Sequence, residues 1–263
     1  MYFVEHGRGM AVLALHGAGV DHREIEAWLE PIFAGRDGFR RIYPDLPGMG
    51  RTPATERLTS NDDVVAVLLS FIDRVAAREP FLVVGHSYGA YLARAVAAHR
   101  RDRAIGLALV CPVGESSRDL PEPDVVHVDD DAYEVLSADQ MAGFDDYFVV
   151  RTLATAQRYR DAVAAGVALV DQTGLGRIFR NWAFGSRPED HGPYPNPALI
   201  LAGRQDSTVG YASAGDLLPD YPHATYAVID NAGHGLPHEQ PELVAGLIDD
   251  WIIRACRTTG RLI

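Results

Sequence analysis

The chain has 263 residues, with 24 Lys and Arg against 36 Asp and Glu, for a formal net charge of −12. Hydrophobic residues make up 47% and charged residues 23%, which is ordinary globular usage and too apolar for a disordered chain. Its 25 Gly and 16 Pro follow no three-residue period, so collagen is excluded, and the acidic balance argues against a nucleic-acid partner. Cys111 and Cys256 are too few for a disulfide framework and read as small buried thiols in apolar runs. Glu5 interrupts the opening residues before any run of signal-peptide length, and no stretch approaches the ~18 apolar residues that span a bilayer. The expectation is a cytoplasmic protein, monomer or homodimer, with no membrane partner. Its length suits one large domain or a domain carrying an insertion.

The first half alternates short apolar runs with helical patterns. Met10–Leu15 (MAVLAL) is an apolar run that ends at His16-Gly17, and Phe39–Tyr43 is another, stopped by Pro44. Thr59 or Ser60 with Asp62 or Asp63 resembles a capping box. Val64, Val65, Leu68, Phe71, Ile72 and Val75 then recur at helical spacing, and Pro80 closes that element. Phe81–Val84 reads as a buried strand, Tyr88–His99 as a helix and Ile105–Val110 as a strand. Such alternation implies an α/β fold, with a mostly parallel twisted sheet and helices on both faces.

At Pro112 the pattern changes. Up to Pro197 no strong central strand is evident. The acidic run Asp129–Asp131 reads as a solvated helix start, ahead of helical patterns over roughly Tyr133–Arg160, Asp161–Asp171 and Leu175–Trp182. Arg187–Pro197, rich in Pro, Gly and His, reads as a return linker. Strand texture resumes in Ala198–Ala202 and Thr225–Ile229, before a terminal helix over about Pro241–Cys256. The organisation expected is therefore a core of residues 1–111 and 198–263, interrupted by a helical cap at 112–197.

Gly85-His86-Ser87-Tyr88-Gly89 matches G-x-S-x-G between a strand and a helix, the setting of a nucleophile elbow. A sharp turn there needs small flanking residues, and Gly85 and Gly89 supply them. A serine needs a base, and a base needs an acid to orient it. His234 follows the Thr225–Ile229 strand, and Asp206 follows the Ala198–Ala202 strand. Ligand-facing groups collect at such strand ends, and the order Ser87, Asp206, His234 fits this architecture. Acyl transfer also needs donors for an oxyanion. The backbone N–H of Tyr88 is one candidate, and the amide of Ala18, after the Met10–Leu15 strand, is the other.

These segments resemble the α/β-hydrolase fold, in the group that carries a helical cap. The residues carrying the resemblance are His16-Gly17, Asp45–Arg51 (DLPGMGR), Gly85–Gly89, Gly203–Asp206 and Gly233-His234. It implies Ser87, Asp206 and His234 as nucleophile, acid and base, a small-molecule substrate, and neither a metal nor an organic cofactor. In that group the DLPGMGR-like stretch borders the site. HGAG in place of HGGG points away from bulky tertiary-alcohol esters. Ala18-Gly19-Val20 lacks the Pro usual in prolyl aminopeptidases, and Ser87 excludes the chemistry of haloalkane dehalogenases, which carry Asp at that position.

The expected activity is hydrolysis of a small to medium carboxylic ester, thioester or lactone. Three alternatives stay open: cleavage of a carbon–carbon bond in a diketone acid, with Arg151, Arg158 or Arg180 clamping its carboxylate; a ligand receptor that barely turns over; and cofactor-free perhydrolysis. Trp182 and Phe148 are candidate substrate-binding residues. With Phe144, Tyr147, Phe179 and Phe184 they line a pocket or form the cap's own core. His22, His127, His191 and His238 show no metal-binding spacing, and Asp62-Asp63 read as a helix cap.

Overall fold

The computed structural model of the chain describes residues 1–114 and 120–257. Residues 115–119 of the expected cap and 258–263 of the expected core lie outside the described residues. The strands are β1 (Phe3–Gly7), β2 (Met10–Leu15), β3 (Phe39–Pro44), β4 (Phe81–His86), β5 (Ala104–Val110), β6 (His127–Val128), β7 (Val150–Arg151), β8 (Ala198–Gly203) and β9 (Ala224–Ile229). Seven of them form one sheet in the order β1-β3-β2-β4-β5-β8-β9. β1 runs antiparallel to β3, and every other pair in this sheet is parallel.

The continuous apolar runs of β2, β4, β5 and β8 are buried along their whole length, as strands covered on both faces must be. Successive residues of these strands feed two separate cores. Leu13, Leu15, Val83, Leu107 and Ile200 face α2 (Asn61–Val75) and α3 (Tyr88–His99). Val12, Ala14, Leu82, Val84, Leu199 and Leu201 face α1 (His22–Phe33) and the C-terminal helix Pro241–Arg257. α2 starts at the Ser60 cap, whose side chain accepts from the Asp63 amide at 3.2 Å.

Two elements carry weak sequence signals. β1 is half-exposed and alternating, FVEHG, because it pairs along one edge only. α1 opens at Asp21, whose side chain accepts from the Arg23 amide, and its buried residues Ile25, Trp28 and Leu29 recur at helical spacing. Pro31 lies inside this helix, near its end.

The segment between β5 and β8 is helical but more broken than its sequence suggests. Asp129–Asp131 does not start a helix; α4 (Ala138–Tyr147) starts at Ser137, with Gln140 completing a capping box. The expected Tyr133–Arg160 helix is interrupted because Val149, Val150 and Thr152 are β-branched: the chain turns extended at Phe148, and β7 pairs with β6. Thr152 then caps α5 (Leu153–Arg158), which passes through a π turn at Tyr159–Ala164 into the single turn α6 (Ala165–Val167). Asp171 caps α7 (Gln172–Phe179) by accepting from the Gly174 amide. The remaining helices are α8 (Ala212–Gly215), α9 (Leu236–Glu239) and α10 (Pro241–Arg257). Among the described residues, no helix is long and apolar enough to cross a membrane.

The return leg is pinned to the core by a buried ion pair. Arg94 of α3 donates to both carboxylate oxygens of Glu189, at 2.7 and 2.8 Å, and the Tyr221 hydroxyl donates to the same carboxylate at 2.8 Å. Removing one partner strands a buried charge. Arg94→Met should therefore lower unfolding free energy by about 3–5 kcal/mol in a urea titration. A loss below about 1 kcal/mol, the range of surface pairs, would contradict this reading.

Candidate functional site

β2, β4, β8 and β9 run parallel, so the loops that leave them gather over one edge of the sheet. Ser87 follows β4 directly and caps α3 with φ 53° and ψ −117°. This left-handed backbone is costly for a residue with a Cβ, and the neighbouring glycines accommodate the turn. A Cβ on Gly89 would lie 2.0 Å from the Leu15 carbonyl oxygen, and one on Gly85 would lie 2.4 Å from the Gly89 carbonyl oxygen. The turn is held from below, where the Ser87 amide donates to the Val110 carbonyl at 2.9 Å.

Three distant side chains meet above this edge. His234 Nε2 lies 2.9 Å from Ser87 Oγ, and His234 Nδ1 lies 2.8 Å from Asp206 Oδ2. A carboxylate accepts only, so Nδ1 carries the proton and Nε2 is free to accept from the serine hydroxyl. The other oxygen of Asp206 accepts from the Thr208 and Val209 amides at 2.9 and 3.0 Å. Burial works to raise the Asp206 pKa, but the adjacent His234 ring and these two amides hold it below the ordinary carboxylate value. Asp206 is fully buried, while Ser87 and His234 keep a narrow exposure of 9% and 7%.

Above Ser87 and His234 lies a cavity of about 290 Å³. Its walls include Gly17 and Ala18 of the loop after β2, Val20, Thr208, and Asp146 and Tyr147 from α4. The Tyr147 ring stands edge-to-face on the His234 ring at 5.7 Å. Gly17 lies against the nucleophile elbow, since a Cβ there would sit 3.5 Å from Ser87 Cβ. Among the described residues, neither the Ala18 amide nor the Tyr88 amide donates to a protein acceptor. The Tyr88 amide also opens α3, where unpaired N–H groups and the helix dipole favour negative charge.

Trp182 and Phe148 are not among the walls of this cavity. Phe148 is 1% exposed and packs with Phe144 and Tyr159. The cause is local: α4 ends at Tyr147, and the extended backbone at Phe148 sends the next side chain into the insertion's own core. Trp182 stacks on Tyr91 at 5.1 Å and packs against Tyr88 and Phe179, behind the elbow. Tyr147 instead supplies the aromatic wall.

Sequence reasoning missed Glu24, His86 as a participant, Thr208, Asp146 and Glu239. Glu24 had a legible signal, because it occupies the same face of α1 as Trp28, a charge on an apolar stripe. Glu239 ties the His234 loop to the insertion: its carboxylate accepts from the Gly233 amide at 2.7 Å, and from the Val149 and Val150 amides at 2.7 and 2.9 Å.

Two groups of side chains have ligand atoms close enough to suggest a metal, His86-Cys111-His234 and Asp21-His22-Asp45. In the first, both His234 nitrogens face Ser87 and Asp206, and burial pushes the Cys111 thiol well above its usual range, which opposes the thiolate a metal needs. In the second, Asp45 accepts from the His22 amide and ring and from the Arg51 amide, while Asp21 holds Arg23. Both are better explained by these internal bonds, the second of which fixes the Asp45–Arg51 loop.

A model of the alpha/beta hydrolase family matches residues 12–247. An alpha/beta superfamily hydrolase from Oenococcus oeni superposes with a TM-score of 0.89 at 27% identity, over 96% of this chain and 95% of that one. A monoacylglycerol lipase of Bos taurus is 23% identical over 94% of this chain and 76% of its own length. The dihydrolipoyllysine-residue acetyltransferase component of an acetoin cleaving system from Cupriavidus necator is 31% identical over 43% of this chain. The chain spans only 29% of the length of that last relative.

Glu239 makes the site's stability depend on pH. Burial pushes its carboxyl up to about 7 from an ordinary 4.5, against the pull of its three backbone donors. The fold thus holds this proton more tightly than the unfolded chain does, so the group's contribution to stability falls as pH rises between those values. Glu239→Gln has no such proton. Wild-type unfolding free energy should therefore decline relative to that variant by about 3 kcal/mol between pH 4.5 and 7, measured by urea titration at stepped pH. Parallel stability curves for the two proteins would contradict the assignment.

Proposed function

Because the chain belongs to the alpha/beta hydrolase family, we propose that it is a serine hydrolase that cleaves a small to medium carboxylic ester, thioester or lactone through an acyl-enzyme on Ser87. The observation that carries this reading is the continuous hydrogen-bonded line from Ser87 Oγ through the His234 ring to Asp206. His234 Nε2 takes the hydroxyl proton as Oγ attacks the carbonyl carbon, and Asp206 stays ionised and fixes the ring's tautomer. The Ala18 and Tyr88 amides receive the oxyanion. The imidazolium then gives its proton to the leaving group, and a water deprotonated by His234 releases the acid.

The size of the cavity limits the substrate. At about 290 Å³ it stands just below the ~300–1,000 Å³ typical of sites for drug-sized ligands. Asp146 brings a carboxylate to the wall of this cavity, so the cavity favours neutral over anionic acyl groups. The carbon–carbon reading needs a cationic clamp there. Arg151 is engaged by Asp145 and the Phe148 carbonyl, Arg158 donates to the His238 carbonyl, and Arg180 is exposed outside these walls. The ester reading is therefore preferred. The insertion at residues 112–197 serves as a cap, with α4 forming the roof over the nucleophile.

Labelling with a fluorophosphonate probe tests the reading. Wild type should take up one equivalent, Ser87→Ala none, and His234→Ala far less at equal time. Absence of labelling in wild type with the large probe and with a small methyl fluorophosphonate alike would overturn it. Asp206→Asn should keep the fold and lower kcat for a short-chain ester by about 10⁴-fold, since the ring then takes the wrong tautomer.

A further inference from the structure

Beneath the site lies a second pair of ionisable groups that the hydrolytic steps do not use. Glu24 of α1 and His86 of β4 expose no surface at all. Glu24 Oε1 lies 3.0 Å from His86 Nδ1, and the other ring nitrogen of His86, Nε2, donates to the His234 main-chain carbonyl at 3.1 Å. Glu24 Oε2 accepts from the Gly17 amide at 3.4 Å. One carboxylate thus reaches two loops: the one that carries the Ala18 amide, directly, and the one that carries the His234 ring, through His86.

The chemistry of the pair is constrained. Nε2 must carry a proton to reach a carbonyl, so a lone pair on Nδ1 would face the carboxylate unless a second proton lies between them. The carboxylate and ring contact lies off the line of a well-aligned hydrogen bond, so the attraction is mainly ionic. Burial disfavours both charges, yet the His86 ring holds Glu24 well below the usual carboxylate range, and Glu24 raises His86 in return. His238, a further ionisable neighbour of this carboxylate, lies 3.7 Å from it and is lowered by burial, hence neutral, as burial also lowers His16. A buried ion pair is costly to desolvate, and two apolar residues would fill the same space without that cost. What apolar residues cannot do is bond to the backbone of both loops.

We propose that Glu24 and His86 are positioning residues for the proposed hydrolysis, a buried ionic strut that sets the His234 loop and the Gly17–Ala18 loop relative to Ser87. The inference rests on the reading of Ser87 and His234 as nucleophile and base. The geometry explains why the strut lies here. A Cβ on Gly17 would sit 3.5 Å from Ser87 Cβ and 3.6 Å from His86 Nδ1, so the loop rests on both residues at once. The His86 and His234 rings lie 5.1 Å apart, which makes the base a direct neighbour of the strut. A shift of either loop by a fraction of an ångström moves the base or the oxyanion donor out of line.

Two measurements test it, one without turnover. In ¹⁵N-histidine spectra of the intact protein at neutral pH, Glu24→Gln should shift the ring nitrogen signals of both His86 and His234. A His234 signal that stays in place overturns the strut, whatever the activity. In kinetics with a short-chain ester, Glu24→Gln and His86→Phe should lower kcat about 10- to 100-fold with KM within about twofold. His86→Gln, which keeps an N–H toward the His234 carbonyl, should recover part of that loss. A rise in KM at unchanged kcat would mean a cavity wall and overturn the proposal, as would unchanged kcat in both variants. If Glu24→Gln does not fold, the two His86 variants decide. If wild type neither labels nor turns over while the two histidine signals still move together, the hydrolytic reading fails and the strut stands.

Discussion

The site depends on one residue holding a backbone conformation that its side chain disfavours. Ser87 takes φ 53° between a strand and a helix, a strain of roughly 1–3 kcal/mol that the surroundings must impose. They do so by close approach. Gly89 lies so near the Leu15 carbonyl that no Cβ fits, and Gly85 lies as near the backbone of Gly89 and Ala90. Strand β4 is buried at all six positions and clamped between β2 and β5, so its end cannot drift. The outcome is a hydroxyl placed above the carboxyl end of the sheet, beside an open helix N-terminus, with the backbone strain already met by folding.

The other groups come to this point because the sheet is parallel. A parallel arrangement puts the ends of β2, β4, β8 and β9 on one edge, and each end delivers one part: the Ala18 amide, Ser87, Asp206 and His234. Their side chains or amides then need fine placement, which the strands alone do not give. Backbone amides do much of it. Asp206 is held by Thr208 and Val209, and the His234 loop is held through Gly233 by Glu239. Buried carboxylates therefore recur as loop anchors around the site, in Asp45, Asp206 and Glu239, each accepting from two or three backbone N–H groups.

The central strands and the three strand-end residues were legible because their signals are local and redundant. Met10–Leu15, Phe81–Val84 and Ala198–Ala202 are unbroken apolar runs that nothing but a doubly covered strand accommodates well. The insertion was legible as helical and illegible in detail. Its helices are short, and their ends are set by caps such as Ser137, Thr152 and Asp171 more than by hydrophobic period. Phe148 shows the limit most clearly. It adjoins Tyr147 in sequence, yet the end of α4 sends one ring over His234 and the other into the insertion's core. Which of two adjacent aromatics faces a cavity is a matter of one ψ angle, and composition does not carry it. Glu239 was illegible for a different reason: two of its three donors, the Val149 and Val150 amides, lie in the insertion, remote in sequence and brought near only by the fold.

The central claim is that Ser87 carries the acyl group during turnover, and trapping that intermediate tests it most directly. The protein is mixed with a short-chain activated ester, quenched in acid within milliseconds, and its peptides are weighed. The account predicts the mass of the acyl group on the peptide containing Ser87, appearing no slower than the first turnover and disappearing as substrate is exhausted. Turnover with the acyl mass on a different residue, or with no covalent adduct at any quench time despite a pre-steady-state burst of alcohol, would contradict it.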